Sequence, residues 1–322
     1  MPKSVHSLKH FAMQTRPLLM ALATFTLLFA SLNSCKKTAQ DPTTDPEIEN
    51  TAAATEDDAS ADLIFAEIGE QVTGIDGTIG LGQIDLFEGV QPGSPATESG
   101  TYNQGTLEAP IANDPQVDRC FKITVTPKDP AVFPKTVVID YGTGCKGRDG
   151  KTRKGKVITV FSKPMVVPGA QALTEFEGHF VNDIKVEGKL TIRNSSTSSI
   201  LKITRIVQNG KLTHPNGNFI WWNAEHHLAQ VAGLGTPGFA RDDEWEITGG
   251  ARGQSQRGTV SHTWSRQISL ALHKAFTCRW IDKGQVKITR NDKTALLDYG
   301  SGACDNLAWI TINGQRREIK LP

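Results

Sequence analysis

The chain contains the stretch Lys135-Thr136-Val137-Val138-Ile139-Asp140-Tyr141-Gly142-Thr143-Gly144-Cys145, and a near copy follows at Lys293-Thr294-Ala295-Leu296-Leu297-Asp298-Tyr299-Gly300-Ser301-Gly302-Ala303-Cys304. Each copy is a short run of strand-favouring residues that ends in Asp-Tyr-Gly-x-Gly. Such a pattern predicts a β-strand that stops at a tight turn, because Asp and Gly both favour turn conformations. The stretch therefore predicts a protein built from strands.

The two copies keep a constant spacing to features that precede and follow them. Gly100-Thr101 and Cys120 stand before the first copy, and Gly258-Thr259 and Cys278 stand before the second at the same distances. A register held over this length predicts an internal duplication. We expect a β body over 100–322, with repeat units 100–160 and 258–321 joined by a meander over 161–257.

Apolar and polar residues alternate in many other short runs, such as Leu201–Val207 and Trp309–Ile312. Three Asn-Gly dipeptides, which suit tight hairpins, separate some of these runs: Asn209-Gly210, Asn216-Gly217 and Asn313-Gly314. The fold class predicted is all-β, an antiparallel meander or sandwich. One short helix is expected at Ser60–Val72, followed by a Gly-rich lead-in within the segment 60–99.

Four cysteines lie in the β body at two nearly equal spacings. The duplication favours one disulfide in each unit, Cys120–Cys145 and Cys278–Cys304. A loop of this length is stabilised by about 3–4 kcal/mol in the chain-entropy model. A zinc site and free thiols are the alternatives, although the two-residue ligand spacing of most zinc sites is missing.

The N-terminus has the layout of a secretory signal peptide over residues 1–34. A basic segment precedes an uncharged apolar run over 17–32, which is short for a membrane span. The run ends in Leu32-Asn33-Ser34-Cys35, which resembles a bacterial lipobox. We expect cleavage between Ser34 and Cys35 and lipidation, including palmitate, of Cys35; the alternative is an ordinary secretory signal that happens to contain a cysteine.

The segment 35–59 is rich in Thr, Ala, Asp, Glu and Pro and almost free of large apolar residues. Such a composition buries little surface, so a flexible tether is predicted. The whole chain has a formal net charge of +1, so there is no electrostatic case for a nucleic-acid partner.

The C-terminal unit resembles a group of Bacteroidetes cell-envelope lipoproteins. The resemblance rests on Cys278-Arg279-Trp280-Ile281 and above all on Gly300-Ser301-Gly302-Ala303-Cys304-Asp305-Asn306, and it extends over most of the secreted body. It implies a lipid anchor in the cell envelope, at the outer membrane. It implies no activity, and it transfers no catalytic residue to this sequence.

Two groups of residues are candidates for ligand binding. Trp221 and Trp222 are neighbours on a predicted strand, so one faces each side, and an exposed indole can stack on a sugar. A basic run that includes Lys151, Arg153 and Lys154 could hold an anionic glycan. Core packing for the tryptophans and a solvated hairpin tip for the basic run are the alternatives.

Other candidates carry weaker patterns. Asp140 and Asp298 read as turn formers, with an acid/base pair or a cation-binding loop as alternatives. His226-His227 diverge on a strand and have no third ligand at a suitable spacing, and Asp242–Glu244 reads as a solvated hairpin end, with calcium as the alternative. We therefore predict no catalytic residue, no metal site and no cofactor.

These observations favour a non-enzymatic binding or structural module of the cell envelope, attached to the membrane by its lipid anchor. Its expected partner is a glycan or another envelope protein. A carbohydrate- or glycolipid-binding lipoprotein is the first alternative, and a polysaccharide hydrolase, which needs only two well-placed carboxylates, is the second.

Overall fold

A computed structural model describes residues 46–74, 79, 120–147, 149–197, 200–235 and 242–321. The predictions for the signal peptide, for Ser34 and Cys35, and for most of the lead-in 60–99 lie outside these residues. Within them the chain forms one antiparallel sheet and one long helix. No helix in the described ranges combines the length and the apolar character that a membrane span requires.

The elements follow one another in a simple order along the chain. The helix is α1 (Pro46–Thr73), and the strands are β1 (Lys122–Thr126), β2 (Lys135–Asp140), β3 (Cys145–Lys146), β4 (Thr152–Phe161), β5 (Gln171–Val181), β6 (Ile184–Asn194), β7 (Lys202–Thr213), β8 (Phe219–Ala232), β9 (Glu244–Arg257), β10 (Val260–Ala275), β11 (Lys283–Arg290), β12 (Lys293–Ser301), β13 (Leu307–Ile312) and β14 (Gln315–Lys320).

Each strand pairs with the next one along the chain, apart from the two-residue β3, which pairs only with β4. The order is β1-β2-β4 and then β5 to β14 in sequence, all antiparallel, and the sheet is open, with β1 and β14 at its edges. The predicted antiparallel meander is confirmed. The sandwich is not found, because the strands form a single sheet rather than two packed sheets.

The Asn-Gly dipeptides have two different roles. Asn313 and Gly314 both have positive φ and form the β13–β14 hairpin, and Gly217 has positive φ in the β7–β8 connection, as expected. Asn209-Gly210 was predicted as a hairpin turn and lies instead inside β7, where the pairing with β8 shifts register. Asn209 and Gly210 form a bulge at that point, and a bulge can accommodate the positive φ of Asn209.

The two copies of the repeated stretch form equivalent strands and turns. The Oδ1 atom of Asp140 accepts a hydrogen bond from the Gly142 amide at 2.8 Å, and Asp298 does the same for Gly300 at 2.9 Å. Both aspartates are thus the turn formers that the sequence predicts.

The neighbouring strands of the two copies are not equivalent. Val137 pairs with Thr159, whereas Ala295, at the matching position, pairs with Ile312. At the offset of 159 residues between the copies, Ile312 matches Arg153, and Thr159 matches Glu318. The likeness therefore covers the strand, its turn and the cysteines, and it does not extend to the pairing around them.

Two disulfides join the cysteines as predicted, Cys120 to Cys145 and Cys278 to Cys304. The first ties Cys120, two residues before β1, to the first residue of β3. The second ties the β10–β11 connection to the β12–β13 connection. Each bond therefore links two segments that adjoin strands in the outer part of the strand order.

The helix is much longer than the sequence predicts. It begins at Pro46, inside the predicted tether, and ends at Thr73, just before Gly74. Proline is tolerated in the first turn of a helix, and the acidic residues Glu47 and Glu49 suit the positive end of the helix dipole. The expectation of a flexible segment through residue 59 and of a short helix at 60–72 is therefore wrong for residues 46–59.

The sheet curls around α1. Glu67 is 2.7 Å from Lys151, which directly precedes β4, and 3.3 Å from Arg279, which follows β10. Six strand spacings separate β4 from β10, or about 29 Å in a flat sheet at 4.8 Å per strand. One side chain can reach both only if the strands wrap around the helix. The core therefore lies between the helix and the inner face of the sheet, around Phe65, Ile68 and Trp222.

Candidate functional site

The helix and the sheet meet in a buried cluster of charged side chains. Asp58 and Asp62 lie one turn apart on α1, and Arg266 of β10 reaches both: its Nε is 3.3 Å from Asp58 Oδ2 and its Nη1 is 2.7 Å from Asp62 Oδ2. Arg205 of β7 adds a second contact, with Nη2 3.1 Å from Asp62 Oδ1. The Arg266 side chain is fully buried.

Two tryptophans complete the cluster. The Nε1 atoms of Trp222 and Trp264 both donate to Asp58 Oδ1, at 2.9 and 3.0 Å. The Trp264 indole lies directly over Gly253 of β9, where a Cβ atom would come within 2.0 Å of the ring. Glycine is therefore required at that position if the indole is to reach the helix.

Burial acts to raise the pKa of both carboxylates, but the net shifts have opposite directions. Burial raises the pKa of Asp58, although Arg266 and the two indoles oppose the shift. Burial also acts to raise the pKa of Asp62, but the charges of Arg266 and Arg205 outweigh it, and the pKa of Asp62 lies well below its usual value. Asp62 is the firmly ionised member of the pair.

His226 of β8 lies against the same cluster. Its side chain is buried, and its Nδ1 accepts a hydrogen bond from Arg205 Nη2 at 3.1 Å. Burial lowers the pKa of His226 to about 3, with Asp62 opposing the shift. The imidazole is therefore neutral at physiological pH and acts as a hydrogen-bond acceptor for the arginine.

Ion pairs continue along the whole helix. α1 contains eight acidic residues and no basic one. Every one of the eight lies within ion-pair distance of a basic residue outside the helix: Glu47 with Arg290, Glu49 and Glu56 with Arg317, Glu56 and Asp57 with Arg257, Asp58 with Arg266, Asp62 with Arg266 and Arg205, Glu67 with Lys151 and Arg279, and Glu70 with Lys274. The strands and the loops beside them thus surround an acidic helix with basic side chains.

A cavity of about 120 Å³ adjoins the cluster, between the C-terminal half of α1 and the inner face of the sheet. Most of its wall is apolar. The larger apolar side chains in the wall include Leu63, Ile192, Leu228, Trp245, Phe276 and Trp280. A dry cavity of roughly 150 Å³ is enough to hold benzene, so this one matches a compact apolar group.

The charged side chains of the cavity wall differ in exposure. Glu70 and Arg279 are 39% and 27% exposed, whereas Asp62 and Arg205 are 12% and 8% exposed. The first two therefore mark the end nearer to solvent, and the last two mark the deep end. The Cys278–Cys304 disulfide fastens the loop that supplies Phe276 and Arg279.

The two adjacent tryptophans face opposite sides of β8. Trp222 is fully buried against α1, with its ring stacked on Phe65 at 5.8 Å. Trp221 is 40% exposed on the outer face, and Lys211 Nζ lies 4.8 Å from the centre of its ring. Only Trp221 is accessible to an external ligand.

The basic run does not form a single surface. Lys151 and Arg153 are buried and paired with Glu67 and Asp149, each within 2.7 Å. Lys154 is more exposed and pairs with Asp183 at 2.7 Å. The three candidate anion-binding residues thus already have carboxylate partners, and two of them belong to the interior rather than to a solvated hairpin tip.

A histidine and two acidic residues also lie close together beside the loop that supplies Phe276 and Arg279. His273 lies between Asp282 and Glu244, at 2.7 and 3.2 Å. In the described part of the chain, no group of three or more His, Cys, Asp or Glu side chains is arranged to hold a metal ion. His226 lies inside and His227 outside, as neighbours on a strand must.

The acidic helix is the main feature that the sequence analysis missed. A signal was available, because Asp58 and Asp62 have the spacing of one helical turn. β10 held a second signal, because His262, Trp264 and Arg266 are every second residue of the strand and all face its inner side. A basic residue in register with buried apolar ones predicts a buried acidic partner.

Comparisons of the chain with protein-family models, with curated proteins and with solved structures found no match.

Replacing Arg266 by alanine tests the cluster. We expect the variant to lose about 3–5 kcal/mol of unfolding free energy, because it leaves two carboxylates buried without their main counterion. Chemical denaturation measures the loss. Arg252→Ala, which removes an exposed arginine on the outer face of β9, is the matched control and should change stability by less than about 0.5 kcal/mol. Equal losses of stability in the two variants would contradict the role of Arg266 as the main counterion of the two carboxylates.

The buried His226 predicts a pH dependence. Its pKa is lower in the folded chain than in the unfolded chain, so the unfolded chain binds more protons as the pH falls below about 6.5, and stability decreases. His226→Gln should reduce that slope by about 1.4 kcal/mol per pH unit between about pH 6 and 4, as measured by denaturation at each pH. His227→Gln, which removes the exposed imidazole next in the chain, is the matched control. An unchanged slope in His226→Gln, or an equal reduction in both variants, would refute the prediction.

Proposed function

We propose that the protein is a non-enzymatic, lipid-anchored binding module of the cell envelope, and that it holds a compact apolar ligand in the cavity beside α1. The single observation that carries the binding role is the cavity itself, which is apolar over most of its wall, has a few charged groups, and is fastened by a disulfide. Ligand sites in proteins commonly have this composition.

The anchor and the compartment are supported by the sequence and the disulfides. The lipobox-like Leu32–Cys35 stands at the end of an apolar run, and two disulfides suit an oxidising compartment outside the cytoplasm. A module held near a membrane is well placed to meet apolar molecules. We further propose that the two strand-and-turn copies descend from one duplicated unit, on the support of their shared sequence and matching Asx turns.

Carbohydrate binding is the second candidate, and Trp221 is the observation that favours it. Its indole is on the outer face of β8, in one cross-strand row with Lys211 and Gln254. An exposed ring flanked by polar side chains suits stacking on a sugar. This surface is on the opposite side of the sheet from the cavity, so the two functions are separable.

Filling the cavity tests the binding role. The full-length protein should bind benzene, observed by saturation-transfer NMR, and Leu63→Trp should abolish binding because the larger side chain occupies the cavity. Leu173→Trp, on the outer face of β5, is the matched control and should bind as the wild type does. Failure of the wild type to bind benzene, or equal binding by Leu63→Trp, would contradict the proposal.

Changing Cys35 tests the anchor. In a bacterial host, the wild-type protein should fractionate with membranes, and mass spectrometry should find a lipidated cysteine as its first residue. Cys35→Ser should carry no lipid in mass spectrometry, since no thiol remains to hold one. An unmodified first residue in the wild type, or a lipid-sized mass on the serine variant, would rule out the lipoprotein assignment.

A further inference from the structure

The deep end of the cavity contains an arginine with a spare donor. Arg205 is 93% buried, since only 7% of its surface is exposed. Its Nη2 is engaged by Asp62 and His226, but within the described residues its Nε has no hydrogen-bond partner. A buried N–H without an acceptor is costly, so the site favours a molecule that supplies one.

A glycine on the helix faces the same arginine. Gly69 lines the cavity, and a Cβ atom at this position would lie 3.5 Å from Arg205 Cδ, the atom bonded to Nε. Glycine inside a helix is destabilising by roughly 0.5–1 kcal/mol relative to alanine. A methyl group would fit there in ordinary van der Waals contact, so packing does not demand glycine. The space beside Arg205 is therefore left open at a cost in stability.

The charges of the cavity specify what kind of acceptor fits. The cavity wall contains the acids Asp62 and Glu70 and three basic residues, and each basic residue is already paired with a carboxylate: Arg205 with Asp62, Lys274 with Glu70 and Arg279 with Glu67. A carboxylate ligand would add a negative charge beside cations that already have carboxylate partners, whereas a neutral carbonyl oxygen needs only the free Nε–H of Arg205. The apolar wall on the other side suits a hydrocarbon body.

We propose that Gly69 and Arg205 form a carbonyl-binding notch, and that the ligand is a compact apolar molecule bearing one neutral carbonyl group, such as a ketone, an ester or an amide. This inference rests on the proposed function, because it assigns the ligand class of the same cavity. Arg205 donates its Nε–H to the carbonyl oxygen, and the space at Gly69 admits that oxygen.

Two ligands of nearly the same shape test the notch. Acetophenone carries a carbonyl where α-methylstyrene carries a carbon–carbon double bond. In the full-length wild-type protein with ¹⁵N-labelled arginine, acetophenone should shift the Nε–H resonance of Arg205, and α-methylstyrene should bind without shifting it. Benzoate should bind more weakly than acetophenone.

Two variants supply the second readout, the ratio of the acetophenone and α-methylstyrene affinities. Arg205→Lys keeps the charge beside Asp62 and removes Nε, and Gly69→Ala narrows the notch. Each should lower the ratio about tenfold, the size expected for one hydrogen bond to a charged donor. Gly69→Ala should also raise the melting temperature, which separates loss of the notch from loss of the fold.

The outcomes distinguish the two levels of the proposal. If both ligands bind but the ratio is unchanged in Gly69→Ala and the Arg205 resonance does not move, the carbonyl notch is refuted and the apolar cavity stands. Tighter binding of benzoate than of acetophenone would also refute it, in favour of an anion site. If neither ligand binds the wild type, the proposed function fails as well.

Discussion

The structure depends on one arginine that neutralises two carboxylates at the centre of the fold. Arg266 reaches Asp58 and Asp62 from the inner face of β10, with no exposure to solvent. Like charges one turn apart destabilise an isolated helix, and buried charges need partners. The helix and the sheet therefore require each other: α1 needs the strand arginines, and the strand arginines need α1.

The same pairing explains how a long open sheet acquires a core. Fourteen sequential strands present one inner face, and α1 covers it while the strands curl around the helix. The exposed ion pairs along α1 contribute little each, about 0–1 kcal/mol. They fix the position of the helix along the groove, and the apolar contacts of Phe65 and Ile68 supply most of the burial. The cavity is the part of this interface where helix and sheet do not fill the space.

Local patterns predicted the parts of the fold that local forces decide. Period-two alternation located the strands, Asp140 and Asp298 formed the expected turns, and the cysteine spacing identified both disulfides. Alternation also separated Trp221 from Trp222. These features depend on neighbours within a few residues or on a single covalent constraint, so a sequence displays them directly.

The features that the sequence analysis did not predict depend on contacts between residues far apart along the chain. Residues 46–59 have the composition of a disordered tether. They are helical because basic residues far along the chain, such as Arg257 and Arg266, form ion pairs with their carboxylates. Asn209-Gly210 has the chemistry of a hairpin, but the pairing of β7 with β8 continues through it as a bulge. The cavity combines side chains from the helix and from distant strands, so no local motif marks it.

Hydrogen exchange along α1 tests the central claim most directly, because the helix can be ordered only while the sheet holds it. In the native protein, mass spectrometry should find the backbone amides of Asp58–Phe65 as well protected as those of β8 and β10. Exchange of these amides at the rate of an unstructured peptide, while the strands stay protected, would contradict the account.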